Sequence, residues 1–193
     1  TSASQQIIFA GIRDQRLDLF LGYWNPIMTQ TITPFIDAGQ VQVLDTPSLK
    51  DARATLAVPT YLADKGLKTF ADIARFEKEL DGKIYGIEPG SGANTQIKAM
   101  IAKNQFALGK FQLVESSEAG MLSAVSRAVK RNEAIVFFGW APHPMNVNQK
   151  MTYLSGSEGA LGPNEGQATV WTVTAPDYGQ KCPNVGRLLS NLT

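Results

Sequence analysis

The sequence predicts an α/β fold built around a parallel sheet, and three observations carry that prediction. Strand-like and helix-like apolar patterns alternate from about residue 83 to residue 140. Residues 134–138 (AIVFF) are continuously apolar, as strands buried on both faces are. Thr69 and Asp72 form a capping-box pattern ahead of apolar residues at helical spacing.

Taken in order, residues 17–21 (LDLFL) read as a short buried strand. It runs into Gly22-Tyr23-Trp24-Asn25-Pro26, where glycine and proline impose a turn and Trp24 is expected just past the strand end. Residues 41–44 and 55–58 read as two further strands, separated by a loop containing Pro47, with Pro59 ending the second. The period then becomes helical, with Phe70, Ile73, Phe76 and Leu80 recurring up to Asp81-Gly82. A strand over 83–87, a helix over 93–104 with Ile97, Met100 and Ile101 inward, and a strand over 111–114 follow. The helix over 118–131 presents Met121, Leu122, Val125 and Val129, and leads into the apolar run 134–138. This β-α-β-α-β succession is that of crossovers around a parallel sheet. Beyond it, 168–174 reads as a strand and 183–192 as a helix opened by Pro183. Tyr85 and Trp171, inside strands, are expected in the core. The apolar helical pattern near Thr193 has no stop signal, and the chain is expected to continue past it.

Composition excludes several classes of function. Eighteen Lys and Arg against seventeen Asp and Glu give a net charge of +1, with no basic block to hold nucleic acid. The longest apolar stretch, about residues 134–141, falls far short of the roughly 20 residues that cross a bilayer. Residues 1–6 carry no signal-peptide pattern. Cys182 is the single cysteine, so no internal disulfide can form.

Catalytic and cofactor motifs are poorly served. His143, the single histidine, sits between Pro142 and Pro144 and reads as a structural residue of a rigid turn, and one His with one Cys is no zinc ligand set. Gly90-Ser91-Gly92-Ala93-Asn94-Thr95 follows a strand and opens a helix, but it lacks both the third glycine of a dinucleotide fingerprint and the Gly-Lys of a phosphate loop. No cofactor is implied. Ser91 and Asn94 either cap that helix or contact a polar ligand group, and the segment alone leaves both open. Trp24 and Trp140 stand at strand ends, where open α/β folds place ligands. A quaternary ammonium group has no N–H to donate, so it can be held only by shape and by aromatic faces. Two tryptophans at such positions suit that chemistry.

The segments KIYGIEPG at 83–90, VESSEAGML at 114–122, GWAPHPMN at 139–146, LDLFLGYW at 17–24 and CPNVG at 182–186 together resemble choline- and glycine-betaine-binding proteins of ABC importers. The resemblance covers nearly the whole chain. It implies a periplasmic-binding-protein-like (type II) two-lobed fold, here a partial chain with one complete α/β lobe. Residues 1–58 would belong to the first lobe and the hinge approach, 59–150 to the second α/β lobe, and 151–193 to the hinge return and the start of first-lobe completion. It further implies a periplasmic or lipid-anchored protein that is not an enzyme, whose partners are a small quaternary ammonium ligand and an importer permease. Trp24 and Trp140 are similar to two walls of the family's aromatic box. The family's cysteine near Cys182 usually pairs with one near the mature N-terminus, a segment not found here, which again suggests truncation at both ends. Two positions depart from the choline binders: Ala54 stands where they carry a box tyrosine, and Ser91 where they carry an asparagine after Pro-Gly. Choline is the first expectation on family prevalence. Carnitine or glycine betaine is the alternative, and an enzyme on a similar two-lobed scaffold is the alternative class.

Overall fold

The computed structural model describes residues 4–192. The readings placed on the very first residues and on the chain beyond Leu192 fall partly or wholly outside the described residues. Among the described residues the strands are, in chain order, β1 (Leu19–Asn25), β2 (Gln42–Val43), β3 (Leu49–Pro59), β4 (Lys83–Tyr85), β5 (Gln112–Val114), β6 (Phe137–Ala141), β7 (Met151–Tyr153) and β8 (Gln167–Thr174). The chain forms two compact units, one built from the segments up to Ala52 and from Ala168 onward, the other from Arg53–Gln167. The sequence places the passage between lobes near residue 58. In the structure β3 is one unbroken strand, and the division falls inside it.

In the first unit β8 pairs antiparallel with β1, Leu19 facing Thr174 and Trp24 facing Val170, and also with β2, Val43 facing Val173. Two helices absent from the sequence reading, Gln5–Arg13 and Thr29–Asp37, join it. The first is capped by Ser4, whose Oγ accepts from the Ile7 N–H. Pro34 inside the second hides its helical character, because proline and β-branched Thr and Ile are weak helix formers. Phe9, fully buried, packs edge-on against Phe20 at 6.0 Å and, with the rings tilted, against Phe35 at 5.8 Å.

In the second unit β4 pairs parallel with both β5 and β6, with Ile84 opposite Leu113 and Tyr85 opposite Phe137. The helices Gly92–Ala102 and Glu118–Arg131 make the connections, as the alternating pattern predicts. β6 then pairs antiparallel with β3, which in turn pairs antiparallel with β7. Ile84, Ile97, Met121, Val125, Val136 and Phe137 are buried here.

Four expectations change. Residues 70–76 form a 3-10 helix rather than an α-helix, although the Thr69–Asp72 capping box is present. An apolar i, i+3 spacing serves both helix types, and the turns at Asp81 and Gly82, both with positive φ, end the segment. β6 begins at Phe137 rather than at 134, and β1 extends to Asn25, so Trp140 and Trp24 lie within strands instead of beyond them. Tyr85 and Trp171 are half-buried instead of core. Along β8 the buried residues alternate, and Trp171 stands on the opposite face from Val170 and Thr172. Helix Pro183–Ser190 is opened by its proline as read.

Gly166 closes the second unit against β3. Its φ is +84°, and a Cβ built on it would lie 2.4 Å from the Ala54 carbonyl oxygen. Neither fault can be relieved by a side-chain rotation, so Gly166→Ala is expected to destabilise the protein by about 3 kcal/mol, read as a lowered urea midpoint at unchanged slope.

Candidate ligand-binding site

Trp140 is the second-to-last residue of β6, and the β3–β6 register sets Ala54 directly opposite it. Paired residues of an antiparallel ladder project to the same face, so the methyl of Ala54 is the cross-strand neighbour of the indole. Ala54 is buried and Trp140 half-buried. The indole lies 5.7 Å from the Phe138 ring and 4.8 Å from the His143 ring, centroid to centroid.

The turn that follows β6 is tied back onto the strand. Asn146 Nδ2 donates to the carbonyls of Trp140 at 2.8 Å and His143 at 2.9 Å, while its Oδ1 accepts from the Tyr153 hydroxyl at 2.7 Å. One amide therefore holds the backbone of both ring-bearing residues. His143 Nδ1 accepts from the Met145 N–H at 3.1 Å, and its Nε2 faces Glu118 Oε1 at 3.1 Å. Tyr153 also carries the Arg53 guanidinium over its ring, 5.7 Å from the centroid, and burial pushes its phenol pKa up. The Ser157 N–H donates to Glu165 at 3.1 Å and helps to hold that carboxyl below its ordinary range. Asn146 and Tyr153 were missed as site-forming residues. The one sequence signal was that Asn146 closes the GWAPHPMN run.

Ser91 caps the helix Gly92–Ala102, its Oγ accepting from the Asn94 N–H at 3.2 Å. The Asn94 side chain, almost wholly buried, is used up inside the chain. Its Oδ1 accepts from the Ile87 N–H at 3.0 Å, and its Nδ2 faces the carbonyls of Ile87 at 2.9 Å and Glu88 at 3.1 Å and Glu115 Oε1 at 3.1 Å. Glu115 also pairs with Lys98 at 2.8 Å, which is the main cause of its lowered pKa. Gly86 makes this possible, since a Cβ there would meet Asn94 Oδ1 at 2.3 Å. Within the chain the Ser91 hydroxyl caps the helix, whereas the Asn94 side chain ties the loop ahead of it to Glu115.

Trp24 belongs to the first unit. It is the second-to-last residue of β1 and packs half-buried against the small buried cluster of Ala52, Ala168 and Val170. The turn after it also closes on the tryptophan carbonyl, here through the Met28 N–H at 2.9 Å. Both tryptophans are followed by cis X–Pro bonds, Asn25–Pro26 and Ala141–Pro142. Among the described residues no helix is long and apolar enough to cross a membrane, and no three His, Cys, Asp or Glu side chains gather as a metal site.

Over residues 1–193 the sequence matches the family described as the substrate binding domain of ABC-type glycine betaine transport system (OpuAC), and the chain belongs to that family. Its α/β fold is that of the periplasmic binding proteins. A solved ABC-transporter choline binding protein in complex with choline is 46% identical, with a TM-score of 0.93 over 100% of this chain and 66% of that one. The ORF1 protein of Chromohalobacter salexigens is 39% identical over 48% of this chain and 59% of its own length. The glycine betaine/carnitine transport binding protein GbuC of Listeria monocytogenes is 25% identical over 59% of this chain and 37% of its own length. The chain thus spans less than two thirds of the length of each of these proteins.

Asn146→Ala removes the donor shared by two carbonyls and the acceptor of the Tyr153 hydroxyl. It is expected to cost about 2 kcal/mol of stability in urea denaturation. Asn146→Asp keeps the acceptor for Tyr153 but sets a carboxylate oxygen against two carbonyl oxygens, acceptor against acceptor, so it is expected to cost at least as much as Asn146→Ala at neutral pH.

Proposed function

We propose that this chain is the ligand-contacting part of a binding protein that captures a small quaternary ammonium compound and delivers it, unchanged, to an ABC importer. The observation that carries the reading is the pair of half-buried indoles, Trp24 and Trp140, each one residue from a strand end and each set beside alanine: Ala52 and Ala168 for Trp24, Ala54 for Trp140. Small neighbours leave an indole able to present its surface to a ligand, and each ring contributes about 0.5–2 kcal/mol to holding a cation. The 46% identity to a choline binding protein, sustained over the whole chain, supports choline as the ligand. Ser91 and Asn94 act in this reading by shaping the loop ahead of the helix Gly92–Ala102. The match to a transport-system binding domain supports function in the periplasm, or anchored outside the membrane, beside a permease.

One observation favours a bulkier ligand such as carnitine. Ala54 is the cross-strand neighbour of Trp140 and contributes only a methyl beside it. A larger ligand can use that space, and the similarity to a glycine betaine/carnitine binding protein points the same way.

Calorimetry on the full-length protein with choline, carnitine and glycine betaine, followed by recovery of the ligand, tests the reading. One equivalent bound and returned intact is expected, and turnover of the ligand would move the protein to the enzyme class. Trp140→Ala is expected to weaken choline binding about tenfold or more, while Trp171→Ala, in variants that remain folded, has a much smaller effect. Equal losses would remove Trp140 from the site. Ala54→Tyr is expected to strengthen choline binding and weaken carnitine binding, because the ring adds a cation contact while filling space. If both affinities rise together, Ala54 does not govern the choice of ligand.

A further inference from the structure

We infer that Glu115 is a positioning residue for the ligand: its carboxylate fixes the Asn94 amide, and that amide fixes the loop 87–91, which walls the site beside Trp140. The inference rests on the reading of Trp140 as a ligand contact. β4 lies between β5 and β6 and runs parallel to both, Tyr85 being level with Val114 on one side and with Phe137 on the other. The chain leaving β4 therefore emerges at the end of the sheet where Trp140 stands, and Glu115, which follows β5, is set one strand further away. Between them runs Ile87-Glu88-Pro89-Gly90-Ser91, with Pro89 and Gly90 exposed. The start of this loop is pinned by strand-like bonds, from the Gly86 N–H to the Val114 carbonyl at 2.9 Å and from the Ser116 N–H to the Ile87 carbonyl at 3.0 Å. Past Ile87 the loop leans on the Asn94 side chain, which takes the Ile87 N–H on Oδ1 and reaches the Ile87 and Glu88 carbonyls with Nδ2.

An amide fits its space either way round, because its oxygen and nitrogen ends have the same shape. Here two neighbours choose. The Ile87 N–H offers a hydrogen and meets Oδ1, while Glu115 Oε1 has none to give and meets Nδ2. Turned over, the amide would set its oxygen against the carboxylate and its hydrogens against the Ile87 N–H. Of the three acceptors around Nδ2, Glu115 is the charged one and the one that lies outside the loop, and hydrogen bonds to a charged acceptor are the stronger kind. The same Oε1 also accepts from Lys98 Nζ at 2.8 Å, one turn further along the helix Gly92–Ala102. A single oxygen thus grips two residues of that helix, and the ammonium holds the carboxylate where Asn94 needs it. Without this grip the amide keeps its partners in the loop but loses the fixed point from which it positions them.

Calorimetry with choline on the full-length protein compares Glu115→Ala, which removes the acceptor, with Glu115→Gln, which removes the charge and keeps an oxygen in reach of Lys98 and Asn94. Glu115→Ala is expected to bind choline about fivefold or more weakly, and Glu115→Gln to stay within about twofold of wild type. The Ile87 amide hydrogen, which donates to Asn94, reads the loop directly. Its exchange with solvent deuterium is expected to speed up in Glu115→Ala and to keep its wild-type rate in Glu115→Gln. Affinity lost equally in both variants overturns the inference, because the charge and not the held amide is then at work. Wild-type affinity in Glu115→Ala overturns it too, as does lost affinity with an unchanged Ile87 exchange rate. Should Glu115→Ala fail to fold, Glu115→Leu, which keeps bulk without an acceptor, takes its place. Failure of the underlying reading looks different: choline does not bind the wild type, or binds it and is indifferent to Trp140→Ala.

Discussion

The antiparallel pairing of β3 with β6 is the constraint from which the candidate site in the second unit follows. It fixes Ala54 opposite Trp140 and brings Arg53 to the level of Ala141, next to the turn that Asn146 closes. Because side chains alternate across a strand, slipping this register by one residue would turn Trp140 to the other face. The register is held from the far side of β3 as well, where Ala57 faces Tyr153 and the Tyr153 hydroxyl reaches back to Asn146. Pairing, turn and aromatic contacts thus close on one another.

Absent side chains matter as much as those present. Gly86 admits the Asn94 amide, Gly166 admits the Ala54 carbonyl, and a Cβ on Gly139 would press on Met151 and Tyr153 at 3.0 and 3.2 Å. Gly86 lies where the backbone meets a buried amide, Gly166 where two backbone segments approach closely, and Gly139 beneath the side chains of β7. The polar network they permit is well satisfied, which is what lets Asn94 be buried without cost to the fold.

Local signals were legible in the sequence and long-range ones were not. The bounds of the helix Glu118–Arg131 are legible from its apolar spacing, and the structure adds the Ser117 cap, the basic last turn and the left-handed Asn132 that ends it. The start of β6 was misplaced by three residues because 134–141 is apolar throughout, and only pairing with β3 and β4 determines which part becomes strand. Trp24 and Trp140 could be named from turn residues nearby. That Asn94 would be consumed by Ile87, Glu88 and Glu115 could not, since a partner 21 residues away leaves no trace in local pattern. The identity of Ala54 as the neighbour of Trp140 likewise exists only in the register.

The way the chain divides has a consequence for the order in which it can fold. The second unit is one continuous segment, whereas the first is interrupted by the whole of it. A ribosome therefore releases every strand of the parallel core before β8 emerges, while β1 and β2, both of which pair with β8, wait unpaired. Contacts of such large sequence separation form slowly, so the nascent first unit carries the open edges of β1 and β2 until β8 arrives.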